Sequence, residues 1–253
     1  MERIRVIPIL LLKGRGLYKG VKFDKYKYVG DPLNAVKIFN EKEVDELAIF
    51  DIEKSAQNKE PNFDLIKDIA CECFMPITYG GGVSKVEHIS KLMRAGVEKI
   101  MINTNAHINH DFIRQAVKDF GSTTIVCCID VKHSRWGGTN VYLKSGKQKT
   151  KLKPIDAAKQ LEDLGIGELI VNSISNDGTF VGYDLDLIKD ISSAVNIPVI
   201  AAGGAGKFQD FIDAKKAGAD ALAAGSHFVF VGKHRAVLIN YLSKEEIELL
   251  NNA

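Results

Sequence analysis

Leu65-Ile66-Lys67-Asp68-Ile69 returns in the same chain as Leu187-Ile188-Lys189-Asp190-Ile191, 122 residues later. The same offset relates Glu46-Leu47 to Glu168-Leu169, Pro76 to Pro198, and Gly81-Gly82 to Gly203-Gly204. It also relates Lys85 to Lys207, Ala95-Gly96 to Ala217-Gly218 and Thr104 to Ser226. With a slip of three residues, Ile7 to Lys13 falls on Val126 to Lys132. One pentapeptide can recur by chance; a series of anchors in order at one offset does not. The chain therefore reads as one domain made of two fused halves, roughly residues 1–122 and 123–253.

Working outward from these anchors, each half contains four apolar β-rich runs. They lie near 4–12, 47–52, 76–80, 99–103, 123–130, 169–174, 198–202 and 221–225. The runs are continuous rather than alternating, as in strands covered on both faces. Segments with helical spacing separate them, such as Ile89, Leu92 and Met93, or Phe211, Ile212 and Ala214 to Ala217. Ser84, Asp156 and Asp184 are expected N-caps or first-turn acids, and Ser243-Lys244-Glu245-Glu246 reads as a capping box. Eight strand–helix units predict an α/β fold, a single closed (β/α)8 TIM barrel with an internal half-barrel duplication. A doubly wound open sheet is the competing arrangement, but a twofold repeat suits a closed barrel better.

The 253 residues carry 34 Lys and Arg against 32 Asp and Glu, a net charge of +2. That balance argues against a general nucleic-acid binder, whose affinity rests on neutralising phosphates. Hydrophobic content of 45% excludes global disorder. The early apolar run Val6 to Leu12 is interrupted by Pro8 and too short for a signal h-region or a membrane span, so a cytoplasmic protein is expected. Cys71, Cys73, Cys127 and Cys128 form no CxxC pattern and read as free thiols, with adjacent Cys127 and Cys128 pointing to opposite faces. His107 and His110 have no acidic partner at ligand spacing. No metal or organic cofactor is expected.

In a barrel of this kind the chemistry sits at the C-terminal ends of the strands. There the sequence places Gly80-Gly81-Gly82 and Gly203-Gly204-Ala205-Gly206, each before a helix. One unit later come Asn103-Thr104 and Gly225-Ser226. Glycines let the backbone approach a ligand closely, and helix starts favour anions. Tight strand–helix turns also need glycine, but paired equipment in both halves predicts two phosphate sites and a substrate spanning the mouth. Asp51, Asp130 and Asp177 close or follow strands and could bond sugar hydroxyls or move protons. Asp177-Gly178 could instead be a turn. Asp130 ends the apolar run Ile125 to Ile129, and an acid there needs a reason. Lys19 lies in the first loop and Lys132 just after Asp130. Five lysines between Leu143 and Lys153 read as a solvated hairpin that could also steer an anion. At the opposite strand ends Arg5, Glu46, Lys99 and Glu168 would form an alternating ring near the axis, either a stability device or a gate.

Across essentially the whole chain these motifs resemble HisF, the cyclase subunit of imidazole glycerol phosphate synthase. The stretches that carry the likeness are Gly30-Asp31-Pro32, Asp45-Glu46-Leu47 with Asp51-Ile52, Gly80-Gly81-Gly82, Ile102-Asn103-Thr104, Phe120-Gly121-Ser122 and Ile129-Asp130. With them stand Asp177-Gly178-Thr179 with Gly182-Tyr183-Asp184, and Gly203-Gly204-Ala205-Gly206-Lys207. The resemblance implies a bis-phosphorylated substrate and an ammonia-supplying HisH-type glutaminase docked at the N-terminal face. It matches Arg5, Glu46, Lys99 and Glu168 to the family's gate. It matches Lys19, Asp51, Thr104, Asp130, Asp177 and Ser226 to substrate or catalytic positions. One departure stands out. The family uses a second aspartate at the end of strand one, where this chain has Leu11. Losing one general acid or base typically costs on the order of 10²–10⁴-fold. The family activity, conversion of a ribulosyl aminoimidazole-carboxamide precursor to imidazole glycerol phosphate, is the first expectation. A HisF paralogue that passes ammonia to a sugar amidotransferase making amidino sugars for surface polysaccharide is the alternative. A non-catalytic scaffold that only activates a glutaminase is a third.

Overall fold

The computed structural model describes residues 3–134 and 137–253. Eight strands run parallel: β1 (Arg5–Lys13), β2 (Leu47–Asp51), β3 (Ile77–Gly80), β4 (Lys99–Ile102), β5 (Ile125–His133), β6 (Glu168–Ser173), β7 (Val199–Ala202) and β8 (Ala221–Ala224). Each pairs with the next, and β1 pairs with β8 through Arg5–Ala221 to Pro8–Ala224. The sheet is therefore closed, with helices between its strands, and the open-sheet alternative is excluded. Among the described residues no helix is long and apolar enough to cross a membrane.

The two-residue period of a strand sorts the side chains into two layers. On β5, Ile125, Cys127, Ile129 and Val131 pack outward against the helices, while Val126 and Cys128 fill the barrel interior. The adjacent cysteines do face opposite ways. The same parity makes inward columns that run from one end of the barrel to the other: Arg5, Ile7, Ile9, Leu11 on β1; Glu46, Ala48, Phe50 on β2; Lys99, Met101, Asn103 on β4; Val126, Cys128, Asp130 on β5; Glu168, Ile170, Asn172 on β6. Each charged column foot is thus separated from a side chain at the mouth by apolar residues.

At two pairs of positions 122 residues apart the backbone torsions match. Asn62 caps the helix Phe63–Glu72 at φ −86, ψ 85, and Asp184 caps the helix Leu185–Ser192 at φ −84, ψ 84. Lys85 and Lys207 precede the helices Val86–Arg94 and Phe208–Lys216 with φ −143 and −142. Asp156 lies in the first turn of its helix and Ser243 forms the expected capping box. Ser84 is not the N-cap, because the helix starts one residue later, behind Lys85. Pro8 falls where β1 changes partners: pairing with β8 ends at Pro8 and pairing with β2 begins at Ile9. Its missing N–H is placed at that handover.

Two hairpins rise from the C-terminal strand ends. Gly16–Val21 and Asp24–Gly30 extend β1, and Thr139–Leu143 with Gln148–Lys149 extends β5. The lysine-rich stretch is a hairpin as expected, but its tip is not simply solvated. Lys144 N donates to Thr104 Oγ1 at 3.0 Å and Ser145 Oγ to Ile52 O at 3.1 Å. The first hairpin has no counterpart in the sequence reading, since its polar, lysine-rich alternation resembles a loop.

Candidate functional site

The barrel mouth holds a cavity that opens to solvent and is lined from strand ends on both sides of the barrel. Lys19, Asp51, Gly81, Gly82, Asn103, Thr104, Asp130, Asp177, Gly178, Gly203, Gly204, Gly225 and Ser226 all line it. These mouth residues singled out in the sequence are therefore brought to one place, whereas Lys132 and Gly206 do not line the cavity. Leu11, the top of its inward column, lines it as well.

The glycines are required by close backbone approach. Gly81 sits at φ +125, and a Cβ there would lie 2.5 Å from Asp51 O. Gly204 sits at φ +117, with a Cβ position 2.1 Å from Gly182 O. An L side chain at either would be strained and would push the loop away from the mouth.

Asp130 is 5% exposed. Asn103 Nδ2 donates to its Oδ2 at 2.7 Å and Asn172 Nδ2 to its Oδ1 at 2.9 Å. Burial disfavours the charge more strongly than these amides favour it, and the carboxyl is pushed up to about 7. A group that titrates there both gives and takes protons near neutrality. Asp177 is raised to about 6 by burial, against the pull of Lys19. Lys19 is lowered to about 8 by burial, with Asp177 opposing. Its Nζ donates to Ile9 O and lies against Gly225, at the end of β8. Asp51 is raised by burial, although Glu53 N and Lys54 N donate to its Oδ1 at 3.0 and 3.2 Å. Asp177-Gly178 is a turn, with Gly178 at φ +70, and it lines the cavity too; the two readings of that dipeptide are compatible.

Asn172, Ser55, Phe23 and Tyr26 were not singled out in the sequence, yet they line the cavity. Asn172 had a signal: it stands four residues beyond Glu168 in the same strand and so on the same inward column. Phe23 and Tyr26 had none, because a hairpin carries them over the mouth.

At the other end Arg5 Nη1 donates to Glu46 Oε2 at 2.6 Å and Arg5 Nη2 to Glu168 Oε1 at 2.7 Å. Lys99 Nζ bridges the same two carboxylates at 3.0 and 3.1 Å. Thr78 Oγ1 donates to Glu46 Oε1 at 2.6 Å. The four charges form the alternating ring. Between ring and mouth lies a small pocket lined by Ile7, Ile9, Ala48, Phe50, Val126 and Ile170, with Glu46 and Thr78 at the ring end.

A closed (β/α)8 barrel with a buried carboxyl near neutrality and glycine loops in both halves defines a barrel built to hold a small ligand at its C-terminal face. Residues 5–234 match the model of the family described as histidine biosynthesis protein, and the chain belongs to that family. A Pseudomonas aeruginosa chain with the provisional name imidazole glycerol phosphate synthase subunit hisF2 is 50% identical over 250 residues, covering 98% of this chain and 100% of its own. One from Vibrio vulnificus, provisionally subunit hisF3, is 45% identical over 251 residues, covering 97% and 95%. Imidazole glycerol phosphate synthase subunit HisF of Pyrobaculum aerophilum is 38% identical over 250 residues, covering 97% and 98%. The relatives are thus of the HisF type.

Proposed function

We propose that the chain is the cytoplasmic synthase subunit of a glutamine amidotransferase. A HisH-type glutaminase docks at the N-terminal face, ammonia passes through the barrel, and a substrate with a phosphate at each end reacts at the mouth. The observation that carries this reading is the set of inward columns. They stack a charged ring, a layer of apolar side chains and an acid-bearing cavity along one axis. Neutral ammonia crosses apolar space far more readily than ammonium, so such a layer selects the nucleophilic form. The ring of Arg5, Glu46, Lys99 and Glu168 serves as its gate. The glycine loops at Gly81-Gly82 with Asn103-Thr104, and at Gly203-Gly204 with Gly225-Ser226, hold the phosphates. Matching torsions in the two halves support a barrel of two fused half-barrels.

At the mouth, addition of ammonia to a carbonyl needs a proton given to oxygen and one taken from nitrogen. Asp130, poised near pH 7, does this work, while Lys19 and Asp177 hold the substrate. In this reading the product is imidazole glycerol phosphate. Leu11 favours a second reading. It stands in the cavity where the family places its other acid, so a paralogue that hands ammonia to a sugar amidotransferase needs no group there. The relatives numbered hisF2 and hisF3 match at 50% and 45%, against 38% to 43% for relatives named HisF without a number.

The test is to mix the chain with a HisH-type glutaminase, glutamine and the ribulosyl precursor, and to follow imidazole glycerol phosphate. Turnover that Asp130→Asn abolishes supports the first reading. No turnover, with turnover gained on Leu11→Asp, overturns it in favour of the second. Lys99→Ala should uncouple glutamine hydrolysis from ammonia use; unchanged coupling would leave the ring a purely stabilising role.

A further inference from the structure

Leu11 leaves the β1 side of the cavity without a polar group from the strand itself. The hairpin that grows out of β1 supplies one. In that hairpin Lys19 pairs with Lys27, so a regular ladder would turn Tyr26 to the opposite face from Lys19. The ladder is not regular. The register slips between Lys19 and Val21, where Val21 pairs with Asp24, and Lys25 takes φ +51. Bulges of this kind bend the strand and concentrate next to active sites. Here Tyr26, on the Gly20 side of the hairpin, lines the cavity together with Lys19.

The ring has a built seat. A Cβ on Gly20 would lie 2.9 Å from Tyr26 Cε1 and 3.0 Å from Cδ1, so the ring rests on bare backbone. Gly178 presses on Gly20 O from the other side, and Lys22 N donates to Asp177 O at 2.9 Å. The ring is thereby fixed relative to the Asp177-Gly178 turn. Among the described residues none hydrogen-bonds the Tyr26 hydroxyl. Burial first, then Asp177, Asp130 and Asp24, push the phenol up to about 12. It keeps its proton at any pH where the cavity works and can serve as a donor.

We infer that Tyr26 touches the substrate, its phenol O–H donating to an acceptor oxygen on the portion between the two phosphates. The inference rests on the reading of the cavity as a phosphate-ester site and adds to it that the mid-section carries a carbonyl or hydroxyl oxygen on the β1 side. Tyr26 holds and orients; proton transfer stays with Asp130.

The experiment compares the wild type with Tyr26→Phe by calorimetric titration of inorganic phosphate and of ribulose 5-phosphate. Phenylalanine keeps the ring on Gly20, so the unfolding temperature should not move. Loss of one neutral hydrogen bond predicts about three- to tenfold weaker ribulose 5-phosphate binding, with inorganic phosphate unchanged. Equal ribulose 5-phosphate affinity in both proteins overturns the inference alone. So does a wild type that binds ribulose 5-phosphate no better than phosphate. A wild type that binds neither overturns the reading of the cavity, and the inference with it.

Discussion

Asp130→Asn should make this protein more stable, and more so as pH rises. The Asp130 carboxyl is 5% exposed and titrates near 7 instead of the ordinary 3.8. The folded state therefore holds this proton more tightly than the unfolded chain. Stability from the group is complete below 3.8 and falls as pH rises to about 7. Linkage gives a cost of about 2 kcal/mol at pH 5 and about 4 kcal/mol at pH 8. Asparagine has the shape of the protonated acid and never ionises. Asn103 now faces the carboxyl with its Nδ2; turned over, its amide presents Oδ1, buried and without a hydrogen-bond partner among the described residues, to accept from the new amide. The variant's advantage over the wild type should thus grow by roughly 2–3 kcal/mol between pH 5 and pH 8. Comparing the two proteins at each pH cancels the titration of Asp51, while the repulsion between Asp130 and Asp177 is part of the difference measured. Urea unfolding at both pH values measures it, with equal m-values as the check that the denatured states match. A pH-independent difference, or a variant less stable than the wild type at pH 8, would refute the claim that burial rather than the two amides governs Asp130.

Two further outcomes follow from the mouth. Gly204→Ala forces a side chain to φ +117 against Gly182 O and should cost about 3 kcal/mol in urea unfolding, with at least a tenfold loss of phosphate affinity in calorimetry. Phosphate affinity of the wild type should fall above pH 8 as the Lys19 ammonium, held at about 8, loses its proton; Lys19→Met should bind more weakly and show no fall in that range.

The sequence alone determined the barrel. The 122-residue offset and eight continuous apolar runs come from covalent order, and strand parity then dictates which residues face inward. Arg5, Glu46, Lys99 and Glu168, and the glycine loops with their following Asn-Thr and Gly-Ser, were legible because each occupies a fixed end of a strand. The absence of an acid at Leu11 was legible for the same reason. Asn172 was within reach of the same parity argument. What only the tertiary structure decided is what lies far apart in the chain or leaves the regular ladder. The pKa of Asp130 depends on amides from Asn103 and Asn172, on two other strands, and on burial by the whole mouth. Lys19 and Asp177 oppose each other's shifts only because the first hairpin docks on the Asp177-Gly178 turn. Tyr26 lines the cavity from a hairpin with a bulge, and a local slip in register has no signature in a polar stretch. Period and order are local properties of a sequence; desolvation and the aim of a side chain are fixed only when distant segments pack.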